Sequence, residues 1–416
     1  MSAVSSSIPT FYLDISRLER RLGRSSPTGV DRVIFAYARW FLETCPDRVV
    51  FVRRLGGRLI EYQRHRAEQI LKMTGGNWDT GTNQTQSTSR HLTGLVELVA
   101  SCIPRKNGSP SATRVFLSLD HNGLERAGAV RQLYRTGDWK IVIFIHDLIP
   151  LTHPEYVVPA TAPAHRQRLK TISECADLVI CNSRYTDRML HEYLGAEDLR
   201  IPPSLVAHLG VECHWRDDAA STKSEKPYFV VLGTIEGRKN HLMILNVWRN
   251  LTNQLGDKAP HLHVVGRRGW EAESVFDMLD RSEALRGKVH EHSSLSDAKL
   301  SSLIAGARAL LFPSFVEGYG LPLVEALQSG IPAIVSDIDV FREIAGDTPE
   351  YVDCLDGPGW ADRIAEYSLP ASHDRARQLK RLSSFKAASW SNHFSAVKAG
   401  FSAHLFVTFD NQEALK

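Results

Sequence analysis

Apolar and polar positions along the chain fall into two successive series. Each alternates short β-branched apolar runs with stretches of helical periodicity. That alternation predicts parallel α/β sheets, whose buried strands read as apolar runs and whose crossover helices carry one apolar stripe. In the first series, strands are expected at 11–16, 48–55, 114–119, 140–147 and 177–183. The helix over GVDRVIFAYARWFLE places Val30, Val33, Ile34, Tyr37, Ala38, Phe41 and Leu42 on one face. Ser183 is the expected N-cap of another helix. Residues 74–92 are polar, rich in glycine and threonine and aperiodic, and read as a surface loop.

The pattern breaks at DDAASTKSEKP, residues 217–227, which reads as a linker. It then restarts with strands at 228–234, 261–267, 309–314 and 333–337, and with helices from about Asn240, from Glu271 and around FREIA. The expected organisation is an α/β unit over 1–216, the linker, a second α/β unit over 228–385, and a helical segment over 386–416 that packs across the two. A chain of 416 residues has room for roughly two or three domains.

Composition narrows the partners. Apolar residues are 43% and charged residues 23% of the chain, an ordinary globular balance, and a net charge of +3 is too mild to argue for nucleic acid. Arginines do gather at Arg17, Arg20, Arg21 and Arg24 and again at Arg53, Arg54 and Arg58. They read either as a solvated face or as a patch for anionic headgroups or a phosphate-bearing substrate. The six cysteines are scattered without a CxxC pair, so neither a zinc site nor a disulfide framework is indicated, and a reducing, cytoplasmic setting fits best. The first residues, MSAVSSSIPT, lack the features of a signal peptide, and the apolar run IVIFIHDLIPL is too short and too polar to span a bilayer. Any membrane contact is expected to be peripheral.

Two facing α/β units place a ligand at the carboxyl ends of their strands. Three segments there carry usable chemistry. In GTIEGRKN, residues 233–240, a strand ends in glycine and presents Arg238 and Lys239 ahead of a helix, which suits a diphosphate or is simply a basic helix start. VVGRRGWE, residues 264–271, offers Gly266 for close backbone approach and Trp270 as a loop support or stacking ring. In FPSFVEGYGLPLVEAL, residues 312–327, Gly318 and Gly320 shape a tight loop and Pro322 suits the first turn of a helix whose N–H groups could meet a phosphate. Glu317 and Glu325 flank that loop, either as hydroxyl-binding carboxylates for a sugar and a ribose or as helix-dipole and surface ion-pair partners.

FPSFVEGYGLPLVEALQSGIPAIVSD resembles the glutamate-x7-glutamate region of the retaining family 4, or group 1, glycosyltransferases. GTIEGRKN and VVGRRGW resemble segments of the same family, and the likeness runs over about residues 225–395. The resemblance implies a GT-B fold, with two Rossmann-like units facing across a cleft, the acceptor on the first and a nucleotide sugar held mainly by the second. It assigns Arg238 and Lys239 to the donor diphosphate, Glu325 to the ribose and Glu317 to the transferred sugar. Thr234, Gly318, Tyr319, Gly320 and Leu321 join the donor site. One departure stands out, because many relatives carry proline before the Arg-Lys pair and some carry arginine after the strand glycine, where this chain has Gly237 and Thr234.

In the first half, PTGVDRV resembles the family's glycine-rich loop, making Gly29 a donor-phosphate residue or an ordinary loop glycine. FIHDLIPLTHPEY places His146 where similar enzymes use a histidine beside the donor sugar, although a lone histidine also suits a core. The implied reaction is retaining hexosyl transfer by front-face attack, with the departing phosphate taking the acceptor proton and no metal or further cofactor required. GDP-mannose is favoured over UDP-sugars, and a growing lipid-linked glycan of surface-polysaccharide assembly is the expected acceptor. An epimerase or hydrolase acting on its own nucleotide sugar, and a non-catalytic glycan-binding protein, are the rival readings.

Overall fold

The structure, a computed structural model, describes residues 8–24, 27–55, 58–80, 113–126, 128–211, 226–293, 295, 297–407 and 409. They form two sheets. The first contains β1 (Thr10–Asp14), β2 (Val49–Leu55), β3 (Arg58–Glu61), β4 (Arg114–Ser118), β5 (Trp139–Ile145), β6 (Leu178–Cys181) and β7 (Ser204–Val206), in the order β3-β2-β1-β4-β5-β6-β7. The second contains β8 (Tyr228–Leu232), β9 (His261–Val265), β10 (Val289–His292), β11 (Leu310–Phe312), β12 (Ala333–Ser336) and β13 (Glu350–Val352), in the order β10-β9-β8-β11-β12-β13. Every pairing is parallel except β2 with β3. The strand order reverses between β1 and β4 and between β8 and β11, the crevices where doubly wound sheets bind ligands.

Local chemistry explains the elements around these crevices. The helix Gly29–Thr44 begins with a capping box, in which the Thr28 side chain accepts from the Asp31 backbone N–H and Asp31 accepts from that of Thr28. Its stripe of Val33, Ile34, Tyr37, Ala38 and Phe41 is buried against the first sheet, and the helix stops just before Pro46. The helix Arg184–Ala196 is capped by Ser183 as its sequence predicts.

The expected loop at 74–92 is corrected over its first part, because the helix Arg64–Thr80 runs through Gly75 and Gly76. Tertiary contacts override the weak propensity there: Asn77 donates from Nδ2 to the Leu22 carbonyl at 2.6 Å, and Trp78 packs against Phe35 with ring centroids 5.0 Å apart. The rest of that segment, and 217–225 of the expected linker, lie outside the described residues.

Each sheet is covered on both faces. The helices Gly29–Thr44 and Trp390–Leu405 share one core with β1 and β4, and this core continues into Tyr319 and Val324 of the second unit. The last helix thus follows the second unit in sequence but packs on the first, with Phe394 stacked on Trp40 at 4.4 Å and His393 Nε2 hydrogen-bonded to the Tyr37 hydroxyl at 2.8 Å. Phe401, fully buried beside Phe11 and Phe409, closes that core. Phe401→Ala is expected to destabilise the first unit by about 3–5 kcal/mol in chemical denaturation. A loss under about 1 kcal/mol would show that this helix is not a structural part of the core.

Candidate functional site

At the crevice of the second sheet, β8 runs into Gly233, whose φ of +140° is a conformation for glycine. A Cβ at Gly266, after β9, would lie 1.8 Å from the Gly233 carbonyl oxygen, so the two strand ends touch backbone to backbone. Thr234 packs into the same turn, where a Cβ at Gly269 would come within 2.7 Å of its methyl carbon. The chain then makes a single 3-10 turn, Gly237–Lys239, and Asn240 at φ +55° redirects it into the helix His241–Leu255.

That turn presents Arg238 and Lys239 to Glu317 from the loop after β11. Arg238 Nη1 lies 2.7 Å from Glu317 Oε2, and Lys239 Nζ bonds Glu317 Oε1, which also accepts from Ser314 Oγ at 2.8 Å. Arg238 Nη2 reaches Glu236 at 2.7 Å, and Lys239 sits 4.6 Å from the centre of the Phe312 ring. The Glu317, Lys239 and Glu236 residues are buried. Burial opposes ionisation of Glu317, but the two cations outweigh it and hold the carboxyl down at about 2. Burial pulls the Lys239 ammonium down against the Glu317 charge, and it pushes the Glu236 carboxyl up against the pull of Arg238. The result is a compact set of two cations and two carboxylates that is internally compensated.

The loop after Glu317 touches the first unit directly. A Cβ on Gly318 would stand 2.1 Å from the His146 carbonyl oxygen and 2.8 Å from the Asp147 Cβ, so no side chain fits there. Ser183 Oγ and Thr186 Oγ1 both donate to the Gly318 carbonyl, at 2.9 and 3.2 Å. The Tyr319 hydroxyl donates to the Leu209 carbonyl at 3.0 Å. Tyr319 is therefore buried as a joint between the units. Gly320, at φ +108° and pressed against Phe341, precedes the helix Leu321–Gln328 with Pro322 in its first turn.

From the first unit, Gly29 approaches Leu321 so closely that an added Cβ would be 3.3 Å from Leu321 Cδ1. Arg32 Nη1 lies 3.7 Å from Glu325 Oε1 across the cleft. His146 is buried and its Nε2 donates to the Leu119 carbonyl at 2.9 Å, while its backbone N–H donates to His121 Nε2 at 3.2 Å. Burial lowers its pKa to about 4, so the ring is neutral at pH 7. The structure thus brings Gly29, His146, Arg238, Lys239, Glu317, Gly318 and Leu321 together at the cleft, with Glu325 one turn into the helix and Thr234 behind the cation turn.

Several residues at this cleft are not singled out by sequence reasoning. Asp147 sits against Gly318, with burial raising its pKa and Arg238 opposing that shift. Glu236 braces Arg238, and both acids lie inside motifs already recognised, one or two positions from a more conspicuous neighbour. Glu343 accepts from the backbone N–H groups of Arg184 and Tyr185 at 2.7 and 2.9 Å and pairs with His208 at 2.6 Å, capping a helix of the opposite unit. A carboxylate four residues into a helix carries no sequence signal for that cross-domain role. The arginine cluster, by contrast, is largely engaged within the fold. Arg17 and Arg21 pair with Asp31 at 2.6 and 2.8 Å, Arg53 with Glu19 at 3.1 Å, and Arg54 with Asp14 and Asp120. Among the described residues no group of three or more His, Cys, Asp or Glu side chains is placed to hold a metal ion, and no helix is long and apolar enough to cross a membrane.

Residues 215–375 match the family model described as glycosyl transferases group 1. Over 222 residues the chain is 31% identical to the serotype-specific mannosyltransferase WbdA of Escherichia coli, a match covering 50% of this chain and 27% of WbdA, so the chain spans about a quarter of that relative's length. It is 26% identical over 273 residues to the O-antigen chain mannosyltransferase B of Escherichia coli, covering 61% of this chain and 68% of that one. The crystal structure of Anabaena Alr3699/HepE in complex with UDP and glucose superposes with a TM-score of 0.62 at 13% identity, covering 94% of this chain and 99% of HepE, a likeness of fold. Residues 215–375 are a group 1 glycosyltransferase domain, and the chain as a whole has the GT-B fold.

The Glu317 cluster has a measurable signature. Its pKa is depressed from 4.5 to about 2, so its ionised form contributes stability in full above about 4.5, and that contribution is lost as pH falls through about 2. Glu317→Gln leaves the buried Lys239 and the partly buried Arg238 under-compensated and is expected to cost about 3–5 kcal/mol at pH 7. In urea titrations the gap to wild type should hold between pH 7 and 5 and narrow below about 4.5. A gap independent of pH down to 3 would contradict the ion pairing.

Proposed function

We propose that the chain is a retaining glycosyltransferase that moves a hexosyl group, mannose from GDP-mannose as first choice, to a hydroxyl of a glycan or lipid-linked acceptor in polysaccharide assembly. The observation that carries this reading is the Glu317 carboxylate clasped by Arg238 and Lys239 at the crevice of the second sheet, beneath a Gly318 loop pressed against the first unit. The mannosyltransferase names of the O-antigen relatives support the choice of sugar.

In this reading the cations serve the leaving group. Breaking the bond between the anomeric carbon and the phosphate oxygen builds negative charge on the diphosphate, and fixed charges aimed at it stabilise the transition state more than the ground state. Arg238 has five N–H donors and Lys239 three, so both can keep Glu317 and still engage an incoming anion. Glu317, ionised at neutral pH, accepts hydroxyl hydrogen bonds from the transferred sugar, and Glu325 accepts from the ribose. The acceptor oxygen attacks on the leaving-group face and its proton passes to the departing phosphate. His146, neutral and fixed by Leu119, orients the sugar without adding charge. The protein cations fill the role a divalent metal would otherwise take, so turnover is expected to persist in EDTA. The free, mostly buried thiols of Cys45, Cys175, Cys181 and Cys354 suit a cytoplasmic enzyme.

Thermal shift against GDP, UDP, ADP and their sugar conjugates tests the donor site, since a ligand that binds the native state raises Tm. Stabilisation by GDP and GDP-mannose, reduced in Glu325→Ala, is expected. Arg238→Ala should lower kcat/KM by roughly 10²–10³, with the product's anomeric configuration, read by NMR, matching the donor's. No shift with any nucleotide at millimolar concentration would refute the assignment. Nucleoside diphosphate release that is indifferent to every acceptor would favour the hydrolase or epimerase reading.

A further inference from the structure

An aromatic group bridges the mouth of the cleft, and the donor chemistry above does not use it. The Tyr156 ring, on the loop after β5, stacks on Phe315 of the second unit with centroids 5.4 Å apart and planes within 3°. The His153 ring also lies near Tyr156, with centroids 6.1 Å apart and planes within 16°. Trp270, from the turn after β9, is 44% exposed, and its Nε1–H reaches the Tyr156 carbonyl at 3.4 Å.

The backbone around these rings is shaped to admit them. Glu271 takes φ +51°, which a non-glycine residue rarely adopts, immediately after Trp270. Gly237 lies under Tyr156, where an added Cβ would stand 3.4 Å from the Tyr156 Cδ1 and 3.1 Å from the Glu271 carbonyl oxygen. Gly237 occupies the position before the Arg-Lys pair, and its lack of a side chain leaves the space used by this ring. The group is continuous with the charged cluster, because the Phe315 N–H donates to the Arg238 carbonyl at 2.9 Å and Phe315 is two residues from Glu317.

We propose that Trp270, Tyr156 and Phe315 form a pyranose-binding platform, the subsite that holds the acceptor glycan beside the transferred sugar. The proposal rests on the glycosyltransferase reading. A pyranose presents a face of C–H groups and a rim of hydroxyls. Trp270, the exposed ring of the group, supplies an apolar face of matching size, and the partly exposed Tyr156 and Phe315, stacked on each other beside it, extend that floor. Rings serving only to join the two units would be expected to be covered like Tyr319, which is 5% exposed, in contrast to Trp270.

Saturation-transfer NMR with a linear α-mannotriose in the presence of GDP or UDP tests this on wild type, Trp270→Ala, Tyr156→Ala and Trp270→Phe. Nucleotide thermal shifts on the same proteins form the control. Wild type should transfer magnetisation to the ring C–H protons of the sugar, the alanine variants should weaken mannotriose binding roughly tenfold, and Trp270→Phe should restore most of it. Alanine variants that bind mannotriose like wild type would overturn the platform, and so would variants that lose only thermal stability with sugar contact intact. Absence of mannotriose binding to a wild type that GDP or UDP still stabilises would also overturn it, leaving the donor site standing. Sugar contact without any nucleotide shift would keep the platform and refute the glycosyltransferase reading.

Discussion

Two cations and two carboxylates, all buried except the partly buried Arg238, impose the central constraint on this molecule from the crevice of one sheet. Arg238 and Lys239 could not be taken out of water uncompensated, since an isolated buried charge costs several kcal/mol, and Glu317 and Glu236 supply the compensation at hydrogen-bonding distance. The need for that geometry runs outward. Glu317 must reach back from the β11 loop to the turn after β8, which places the two loops side by side at the point where strand order reverses. Gly233 and Gly266 let their strand ends touch, and Gly320 turns the chain tightly enough to start a helix against Phe341.

The same loop also joins the two units. Gly318 has no room for a side chain because the His146 carbonyl occupies that space, and its own carbonyl is held by Ser183 and Thr186 at the start of a first-unit helix. Glu343 reaches across in the reverse direction to the N–H groups of that same helix start. The helix N-terminus thus receives a carboxylate from one element of the second unit while its capping side chains donate to another. Any change in the angle between the units must alter these bonds, so the position of the Gly318 loop, and with it Glu317, is coupled to the arrangement of the units.

Much of this was legible in the sequence, and the failures share a cause. Strands buried on both sides announced themselves as apolar runs, whereas the four that were not anticipated, β3, β7, β10 and β13, are the two edges of each sheet. An edge strand pairs on one side only and carries polar residues, as in VHEH for β10 and RLIE for β3, so its pattern does not stand out. The helix through Gly75 and Gly76 escaped notice because its support comes from residues distant in sequence, Leu22 and Phe35 among them. At the site, the glycines and cations were readable because few other residues suit such backbone shapes and charges. Glu236 and Asp147 were hidden because an acid close in sequence to a basic or histidine residue reads equally well as a surface group, and only burial distinguishes the two.

Gly237 shows how a local departure becomes intelligible once packing is known. A proline there would fix φ and stiffen the entry to the cation turn. Glycine instead gives up that stiffness and leaves space, which Tyr156 from the opposite unit fills. The stiffness is recovered elsewhere: Arg238 is held by Glu236 and Glu317, its carbonyl accepts from Phe315, and Asn240 sets the exit at φ +55°. The turn that presents the cations is therefore defined by side-chain and backbone bonds on its far side and by an aromatic ring on its near side. Gly237→Pro would set the loop's own rigidity against the space it gives to Tyr156, because the pyrrolidine ring enters the volume between Tyr156 and the Glu271 carbonyl.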